Sequence, residues 1–334
     1  MQNLFDPAIL FFVFGVFAGT LRSNLEIPPA ISKFLSLYLL MAIGLKGGFA
    51  LAQSGFDATV MVSLAAAMLM ALIVPALGYQ LLKNRVSRFD AAAVAAAYGS
   101  VSAVTFVTAM QYLEANQMSP GGHMAVALVV MESPAIIMAV LLANTLRHAQ
   151  AGAVLPSGGA ALIGAGGPQS GPPLGRILHE SFTDGAHLLL LGAMVVGYAS
   201  GDAGKAMMAP FSSDLFKGML AFFLLDMGLM VARNFGSVRG KSPALIAYAA
   251  LGPVVHAAIA LALSMLLRLP AGDAAMLMVL SASASYIVVP AVLRYAIPEA
   301  NPSLYFGLSL GITFPLNILF GIPLYTLIAQ RLLG

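Results

Sequence analysis

Long apolar stretches alternate with short polar connections along the whole chain. Crossing the roughly 30 Å hydrocarbon core of a bilayer as a helix takes about 20 mostly apolar residues. Ten stretches meet this requirement, so the pattern predicts an all-α polytopic membrane protein with ten transmembrane helices. They lie at residues 7–22, 31–52, 59–82, 90–112, 123–146, 185–201, 214–232, 243–267, 272–296 and 303–331.

Serine and glycine interrupt the fourth and ninth stretches at matching places. The fourth contains Tyr-Gly-Ser-Val-Ser-Ala-Val-Thr and the ninth contains Ser-Ala-Ser-Ala-Ser-Tyr. Asp90 precedes Ser100 by ten residues, and Asp273 precedes Ser283 by ten. Single small residues in membrane helices usually serve close helix packing. The density of polar residues here favours two interrupted helices instead, which we expect to cross at mid-membrane.

The interruptions belong to a longer internal repeat. Asp90 and Asp273 are followed, 44 and 42 residues later, by Pro134 and Pro315 in the fifth and tenth stretches. Five helices in each copy is an odd number, which places the second copy upside down relative to the first. The predicted organisation is a first five-helix repeat, a Gly/Pro-rich cytoplasmic linker and a second, inverted repeat, at residues 1–150, 151–180 and 181–334.

Paired polar interruptions in two halves are typical of the binding site of a secondary transporter. Half-helix N-termini carry partial positive charge, so free N–H groups and serine hydroxyls can hold a small anion, while unwound carbonyls can coordinate Na⁺. The candidate substrate-binding residues are Gly99, Ser100, Ser102, Ser283 and Ser285. The candidate sodium-binding residues are Ser102, Thr105, Glu132, Ser281, Thr313 and Asn317. We expect no catalytic residue, and no cofactor or metal besides Na⁺ as the coupling ion.

Several further polar residues lie inside apolar stretches. Burying an ionisable group near mid-membrane costs at least about 2.5 kcal/mol, which makes Glu132 and Asp226 functional candidates. Glu132 abuts a helix-bending proline, whereas Asp226 is interpreted as a gating or structural acid. Asp90 and Asp273 begin the interrupted stretches, where an acid caps a helix. His256 is more simply a satisfied interior histidine than a proton relay.

Charge gives the expected orientation. Only 9% of the residues are charged and the net charge is +3. Basic residues accumulate on the cytoplasmic side of membrane proteins, and one set of loops holds 11 of the 16, so we expect both termini outside the cytoplasm. That set is Arg22, Lys33, Lys83, Arg85, Arg88, Arg147, Arg176, Arg233, Arg239, Lys241 and Arg294. This asymmetry explains the net charge without nucleic acid as a partner.

Four motifs in this order resemble the sodium-dependent bicarbonate transporter family (SbtA type), from about residue 5 to 330. They are the Tyr-Gly-Ser-Val-Ser element, Met-Glu-Ser-Pro-Ala-Ile-Ile around Glu132, Phe-Leu-Leu-Asp-Met-Gly-Leu around Asp226, and Ser-Ala-Ser-Ala-Ser-Tyr-Ile. The resemblance implies core and gate domains, each drawn from both repeats, and a homotrimer in the inner membrane. It also implies Na⁺-coupled uptake of bicarbonate by alternating access. By resemblance the anion and sodium cradle comprises Gly99, Ser100, Ser102, Thr105, Ser283 and Ser285, with Glu132 beside it.

Cyanobacterial members of that family also bind a small soluble regulator of the PII-like type on the cytoplasmic face. Here the central segment is rich in glycine and proline and nearly featureless, which weakens that expectation. A similarly small anion other than bicarbonate also remains open as substrate.

Four alternatives remain at this point. A cation/proton antiporter also crosses two broken helices, and would need titrating acids at the crossing. An organic-anion:Na⁺ symporter would need a larger apolar cavity. A passive channel also uses small polar residues. An intramembrane hydrolase would need a nucleophile with an activating base, and no Gly-x-Ser-x-Gly or His-Glu-x-x-His motif occurs.

Overall fold

The computed structural model describes residues 6–55, 57–153, 185–238 and 240–334, and these are almost entirely helical. The prediction of an all-α protein is therefore confirmed for this part of the chain. In our numbering the helices are α1 Pro7–Thr20, α2 Pro29–Ser54, α3 Ala58–Leu82, α4 Arg88–Gly99, α5 Ala103–Ala115, α6 Met124–Ala153, α7 Gly185–Ala209, α8 Leu215–Asn234, α9 Pro243–Leu267, α10 Ala271–Ala282, α11 Val288–Ala296 and α12 Pro302–Leu333.

Every apolar stretch predicted from the sequence coincides with a helix or a pair of helices. Seven helical segments of the described chain are long and apolar enough to cross a membrane. One of them, Gly185–Asn234, has 50 residues and covers the predicted sixth and seventh spans. Gly201 breaks it with φ 54° and ψ −144°, where the sequence predicts the sixth span to end. The chain is thus a multi-pass membrane protein, and the arrangement of ten spans as inverted repeats stays a prediction.

Both predicted interruptions are present. Helix α4 ends at Gly99, Ser100 and Ser102 have extended backbone, and α5 begins at Ala103. In the second copy α10 ends at Ala282, and an irregular segment precedes α11. Unwound backbone in an apolar bundle is tolerated only where protein or a cavity satisfies its polar groups. These two segments are therefore the natural places for a site.

The aspartates expected to cap the interrupted helices instead lie in the first turn and reach across the fold. Ser87 and Pro270 occupy the capping positions. Asp90 accepts a hydrogen bond from the backbone N–H of Asn301, just before α12, at 2.7 Å. Asp273 accepts one from the N–H of Gly121, just before α6, at 2.7 Å. Each acid thus ties an interrupted helix to the loop before the last helix of the other half.

The helices pack in two groups. The glycine-packed group comprises α1, α2, α7 and α8, in which α1 lies along α8 and α2 along α7. The backbones touch there: a methyl group on Gly48 would overlap the carbonyl oxygen of Met194, and one on Gly228 would overlap that of Phe12. The interrupted group comprises the other eight helices, with α3 against α4 and α6, and α10 against α9 and α12.

Candidate functional site

The two interrupted segments are hydrogen-bonded to each other. The backbone N–H of Ser102 donates to Ser283 Oγ at 3.0 Å. The N–H of Ser285 donates to the carbonyl oxygen of Ala97, in the last turn of α4, at 2.7 Å. The two bonded pairs join residues 181 and 188 positions apart in the sequence, and all of these side chains are buried.

A serine stands at the start of each second half-helix. Ser102 is the N-cap of α5, and its Oγ accepts from the N–H of Thr105 at 3.2 Å. Ser285 Oγ accepts from the N–H of Val289, at the start of α11, at 3.3 Å. A hydroxyl that accepts from an N–H keeps its own hydrogen to donate. Each serine can therefore stabilise its helix N-terminus and still offer a donor to an anion.

Ser102 and Ser285 face a common cavity of about 70 Å³. Glu132 from α6 lines the same cavity, together with Ser36, Tyr286 and His187. A water molecule occupies about 30 Å³ in the liquid, so this space suits an ion of a few heavy atoms. Pockets for drug-sized ligands are several-fold larger, about 300 to 1,000 Å³.

His187 was missed by sequence reasoning. It lies near the start of α7, and its Nε2 forms an ion pair with Glu132 Oε2, with both side chains buried. In the sequence His187 is only a polar residue at the edge of an apolar stretch, where such residues are ordinary. The one sequence feature that could have marked His187 as part of a membrane span is that no charged residue follows it before Gly201.

Thr313 and Asn317 do not line this cavity but brace the ends of the broken helices from α12. The hydroxyls of Tyr98 and Thr313 are 2.6 Å apart, and Thr313 donates to the carbonyl oxygen of Ala249 at 2.7 Å. Asn317 Nδ2 donates to the carbonyl oxygen of Ala282, the last residue of α10, at 2.7 Å. Helix α12 forms π-helical turns on both sides of Pro315, a distortion frequent at functional sites.

The remaining candidates lie close to the breaks but outside the cavity. Gly99 is packed so tightly on Pro75 of α3 that a methyl group would overlap the proline ring. The hydroxyls of Ser100 and Ser281 are buried and have no hydrogen-bond partner within the described structure. Buried polar groups are nearly always satisfied, so orphaned hydroxyls call for an explanation such as an ion or water.

Two polar residues within the spans lie away from the cavity between the interruptions. Asp226, on α8, is buried in the glycine-packed group and interacts with Ser32 at the start of α2. His256, on α9, is 1% exposed, and its ring contacts the ring of Tyr248. Neither residue lines the cavity between the interruptions, and the gating or structural role of Asp226 stays a prediction.

The other end of α2 borders a separate cavity of about 340 Å³. Lys46 of α2 forms an ion pair there with Glu114 of α5, with Nζ 2.8 Å from Oε2. Ser36 and Lys46 are ten residues apart on α2, so the two cavities lie about 15 Å apart along this helix. Lys46–Glu114 and His187–Glu132 each join one helix group to the other.

Two broken helices that meet at a small cavity lined in part by serines, within a bundle of apolar helices, are typical of the secondary-transporter class. The comparison with known families agrees. Residues 7–330 match the Na⁺-dependent bicarbonate transporter superfamily, and the chain belongs to this family, which confirms the resemblance seen in the motifs. No curated protein matches the chain in sequence.

Proposed function

We propose that the protein is a Na⁺-coupled symporter that brings bicarbonate, or a similarly small anion, into the cytoplasm by alternating access. The observation that carries this proposal is the cavity of about 70 Å³ at the junction of the two interrupted helices, lined by Ser102 and Ser285. Membership of the family supports Na⁺ and bicarbonate as the transported ions. The small volume of the cavity is compatible with ions of that size.

The anion is proposed to be held by neutral hydrogen-bond donors rather than by a lysine or arginine. In our proposal its oxygens accept hydrogen bonds from the hydroxyls of Ser102 and Ser285 and from free N–H groups at the starts of α5 and α11, where the helix dipoles favour negative charge. No lysine or arginine lines the cavity among the described residues. Neutral donors bind a small anion less tightly than a buried ion pair would, which permits release on the opposite side of the membrane.

Sodium is proposed to bind beside the anion. The oxygen atoms nearest to the breaks that lack a hydrogen-bond partner within the described structure are Ser100 Oγ and Ser281 Oγ. Thr105 and Glu132 are further proposed ligands, while Thr313 and Asn317 are proposed to shape the site through the ends of α4 and α10. Moving an anion inward against a cytoplasm-negative potential costs about 2.3 kcal/mol per 100 mV, and one co-transported Na⁺ cancels that charge.

For the transport movement we propose that the interrupted group is the core domain and the glycine-packed group is the gate domain. Each group draws helices from both halves of the chain, as an inverted repeat requires. The cavities at the two ends of α2 would then be the remnants of access from the two sides. The positive-inside rule supports an outward position for both termini.

Assembly and regulation remain proposals from the family resemblance. Exposed leucine and phenylalanine side chains on α1 and α3 give the chain apolar faces that suit lipid or a homotrimer in the inner membrane equally well. The Gly/Pro-rich linker predicted at residues 151–180 lies outside the described residues except for its first three positions.

The alternative functions differ in how well the cavity and the family support them. A cavity of about 70 Å³ is too small for a large organic anion. Membership of a transporter family argues against a hydrolase. Cation/proton antiport is the second candidate, because the ion pair of Glu132 and His187 places two titratable groups at the cavity.

The test is uptake of radiolabelled bicarbonate into proteoliposomes with an inward Na⁺ gradient, compared with K⁺ and with carbonic anhydrase added. We expect saturable, Na⁺-dependent accumulation above equilibrium, which a passive channel does not give. Ser102→Ala and Ser285→Ala should each lower kcat/KM by about 10- to 100-fold, since a hydrogen bond to a charged group contributes about 1.5 to 3 kcal/mol.

Ser264→Ala is the matched control. Ser264 is equally buried in the interrupted group, but its hydroxyl bonds to the carbonyl of Ala260 in its own helix. Loss of uptake in this control to the same degree would remove the assignment of the two serines. Proton-driven Na⁺ exchange without bicarbonate uptake would establish antiport instead.

A further inference from the structure

The ends of α1 and α8 that are predicted to face the cytoplasm border a cavity of about 760 Å³. The two helices touch just before it, where a methyl group on Gly19 would overlap the Cβ of Ala232. Beyond this contact α1 ends at Thr20 and α8 ends at Asn234. The cavity is therefore a crevice at the end of the glycine-packed group, and none of its described lining residues belongs to an interrupted helix.

Two arginines line this crevice, one from each helix end. Arg22 follows α1, Arg233 lies in the last turn of α8, and both residues are exposed. Arg233 Nη2 donates to the carbonyl oxygen of Leu25 at 2.9 Å, which holds this guanidinium beside the loop after α1 and leaves further N–H groups for a ligand. Ser23 Oγ accepts from the N–H of Leu25 at 3.0 Å and so keeps its own hydrogen to donate.

The charge of the crevice is positive. No acidic side chain lines it among the described residues. Asp226, buried two turns earlier on α8, balances part of the charge of Arg233 from within the bundle. Arginine suits phosphate because its planar fork presents several N–H donors to the phosphate oxygens. The crevice thus has the donors and the charge that a phosphate group requires.

An apolar stripe on α1 leads from the crevice into the membrane. Its side chains are spaced three or four residues apart on one helix face and are 45 to 64% exposed: Leu10, Phe14, Phe17 and Leu21. Eleven residues of helix span about 16 Å, which is about half of the roughly 30 Å hydrocarbon core. The stripe therefore has the depth of one leaflet, which the acyl chains of a phospholipid fill.

We propose that this crevice binds the headgroup of an anionic phospholipid, with Arg22 and Arg233 on its phosphate and its acyl chains along the apolar stripe. The negative charge of lipids in the cytoplasmic leaflet suits basic crevices between membrane helices. A soluble phosphate would use the arginines but not the stripe. An apolar face of a second copy of the chain would cover the stripe without neutralising the arginines.

The experiment titrates the purified whole chain in detergent with phosphatidylglycerol, phosphatidylcholine or glycerol 3-phosphate. Native mass spectrometry measures the bound lipid, and thermal unfolding measures Tm. We expect phosphatidylglycerol to raise Tm by about 2 to 4 °C and phosphatidylcholine to bind at least about fivefold more weakly. Glycerol 3-phosphate should leave Tm unchanged, because it has no acyl chains for the stripe.

Arg22→Gly separates lipid binding from folding. Arg22 has φ 56° at the position after a helix where glycine is the usual residue, so glycine fits the backbone and removes only the guanidinium. This variant should keep the wild-type Tm without lipid and bind phosphatidylglycerol about five- to tenfold more weakly. Arg268→Gly is the matched control, because Arg268 has φ 55° at the same position after α9 but does not line the crevice. Its affinity for phosphatidylglycerol should equal that of the wild type.

Arg233→Gln should weaken binding to a similar degree. If loss of its bond to Leu25 prevents folding, Arg22→Gly decides alone. Equal binding of the two lipids, or unchanged affinity in Arg22→Gly, would overturn the proposal. A rise in Tm with glycerol 3-phosphate equal to that with phosphatidylglycerol would replace the lipid by a soluble phosphate. A change of oligomeric state in Arg22→Gly that phosphatidylglycerol does not reverse would assign the crevice to a contact between copies instead.

Discussion

The two helix groups are held together by different means. In the glycine-packed group, backbones touch directly, as where Gly48 lies against α7 and Gly228 against α1. In the interrupted group, buried polar links cross between helices, such as Asp273 to the N–H of Gly121 and Ser102 N–H to Ser283. The difference follows from the backbone, because continuous helices satisfy their own polar groups and broken ones do not.

This comparison indicates how a rigid frame and a binding site can share one membrane protein. Glycine contacts allow large areas of close packing between helices whose backbone polar groups are already satisfied within each helix. Unwound segments supply donors and acceptors for ions, but they need neighbours such as Asn317 that occupy the carbonyls left over. We therefore expect substitutions in the first group to act on assembly and substitutions in the second to act on polar satisfaction and transport.

The largest effect is expected for Gly48→Leu. The side chain would meet the carbonyl oxygen of Met194 and the backbone of α7, which cannot move as a flexible side chain could. We expect destabilisation by about 3 kcal/mol or more and loss of monodisperse protein in size-exclusion chromatography. Gly192→Leu is the control, because nothing lies within 4 Å of a Cβ at that position of α7. Equal behaviour of both variants would contradict the direct backbone contact as the basis of this group.

A smaller effect is expected for Asp273→Ala in the interrupted group. The substitution leaves the N–H of Gly121 without its acceptor and removes the carboxylate that lies 3.1 Å from His123 Nε2, which should cost about 3 kcal/mol or somewhat less in thermal unfolding. Asp90→Ala, at the matching position of the first half, removes the acceptor of a partly exposed N–H and should cost about 1 kcal/mol. The reverse order would show that burial does not set the strength of these two ties.

The smallest effect concerns the ion pair between Arg147, near the end of α6, and Glu299 before α12. Arg147 Nε lies 2.7 Å from Glu299 Oε1, and this hydrogen bond lowers the pKa of the Glu299 carboxyl below its ordinary value. A lowered folded-state pKa stabilises the protein above the unfolded-state pKa, and this contribution is lost as the pH falls through the folded-state value.

Because the Glu299 side chain is 36% exposed, solvent screening keeps that contribution below about 1 kcal/mol. Wild type should melt slightly above Glu299→Gln at pH 7, and the difference should decline once the pH falls below the ordinary glutamate pKa of about 4.3, vanish in stronger acid and shrink in 1 M salt. A difference that persists in acid would mean that Glu299 acts through packing rather than through its charge.

The sequence by itself determined the helices and the two breaks, because both follow from local composition. A run of about 20 apolar residues in lipid can satisfy its own backbone hydrogen bonds only as a helix. Serines interrupt two of these apolar runs, between Gly99 and Ala103 and again from Ser283 to Ser285. The helices are unwound at both places.

Only the tertiary structure decided which of these polar residues share a space. It placed Ser102, Ser285 and Glu132 around one cavity, and it placed Thr313 and Asn317 of α12 outside that cavity, where they bond to neighbouring helices. It also brought His187 onto Glu132, although they are 55 positions apart in different halves of the chain. Which residues lie within a few ångströms of one another depends on how remote helices pack, and hydrophobic periodicity along one helix carries no information about its neighbours.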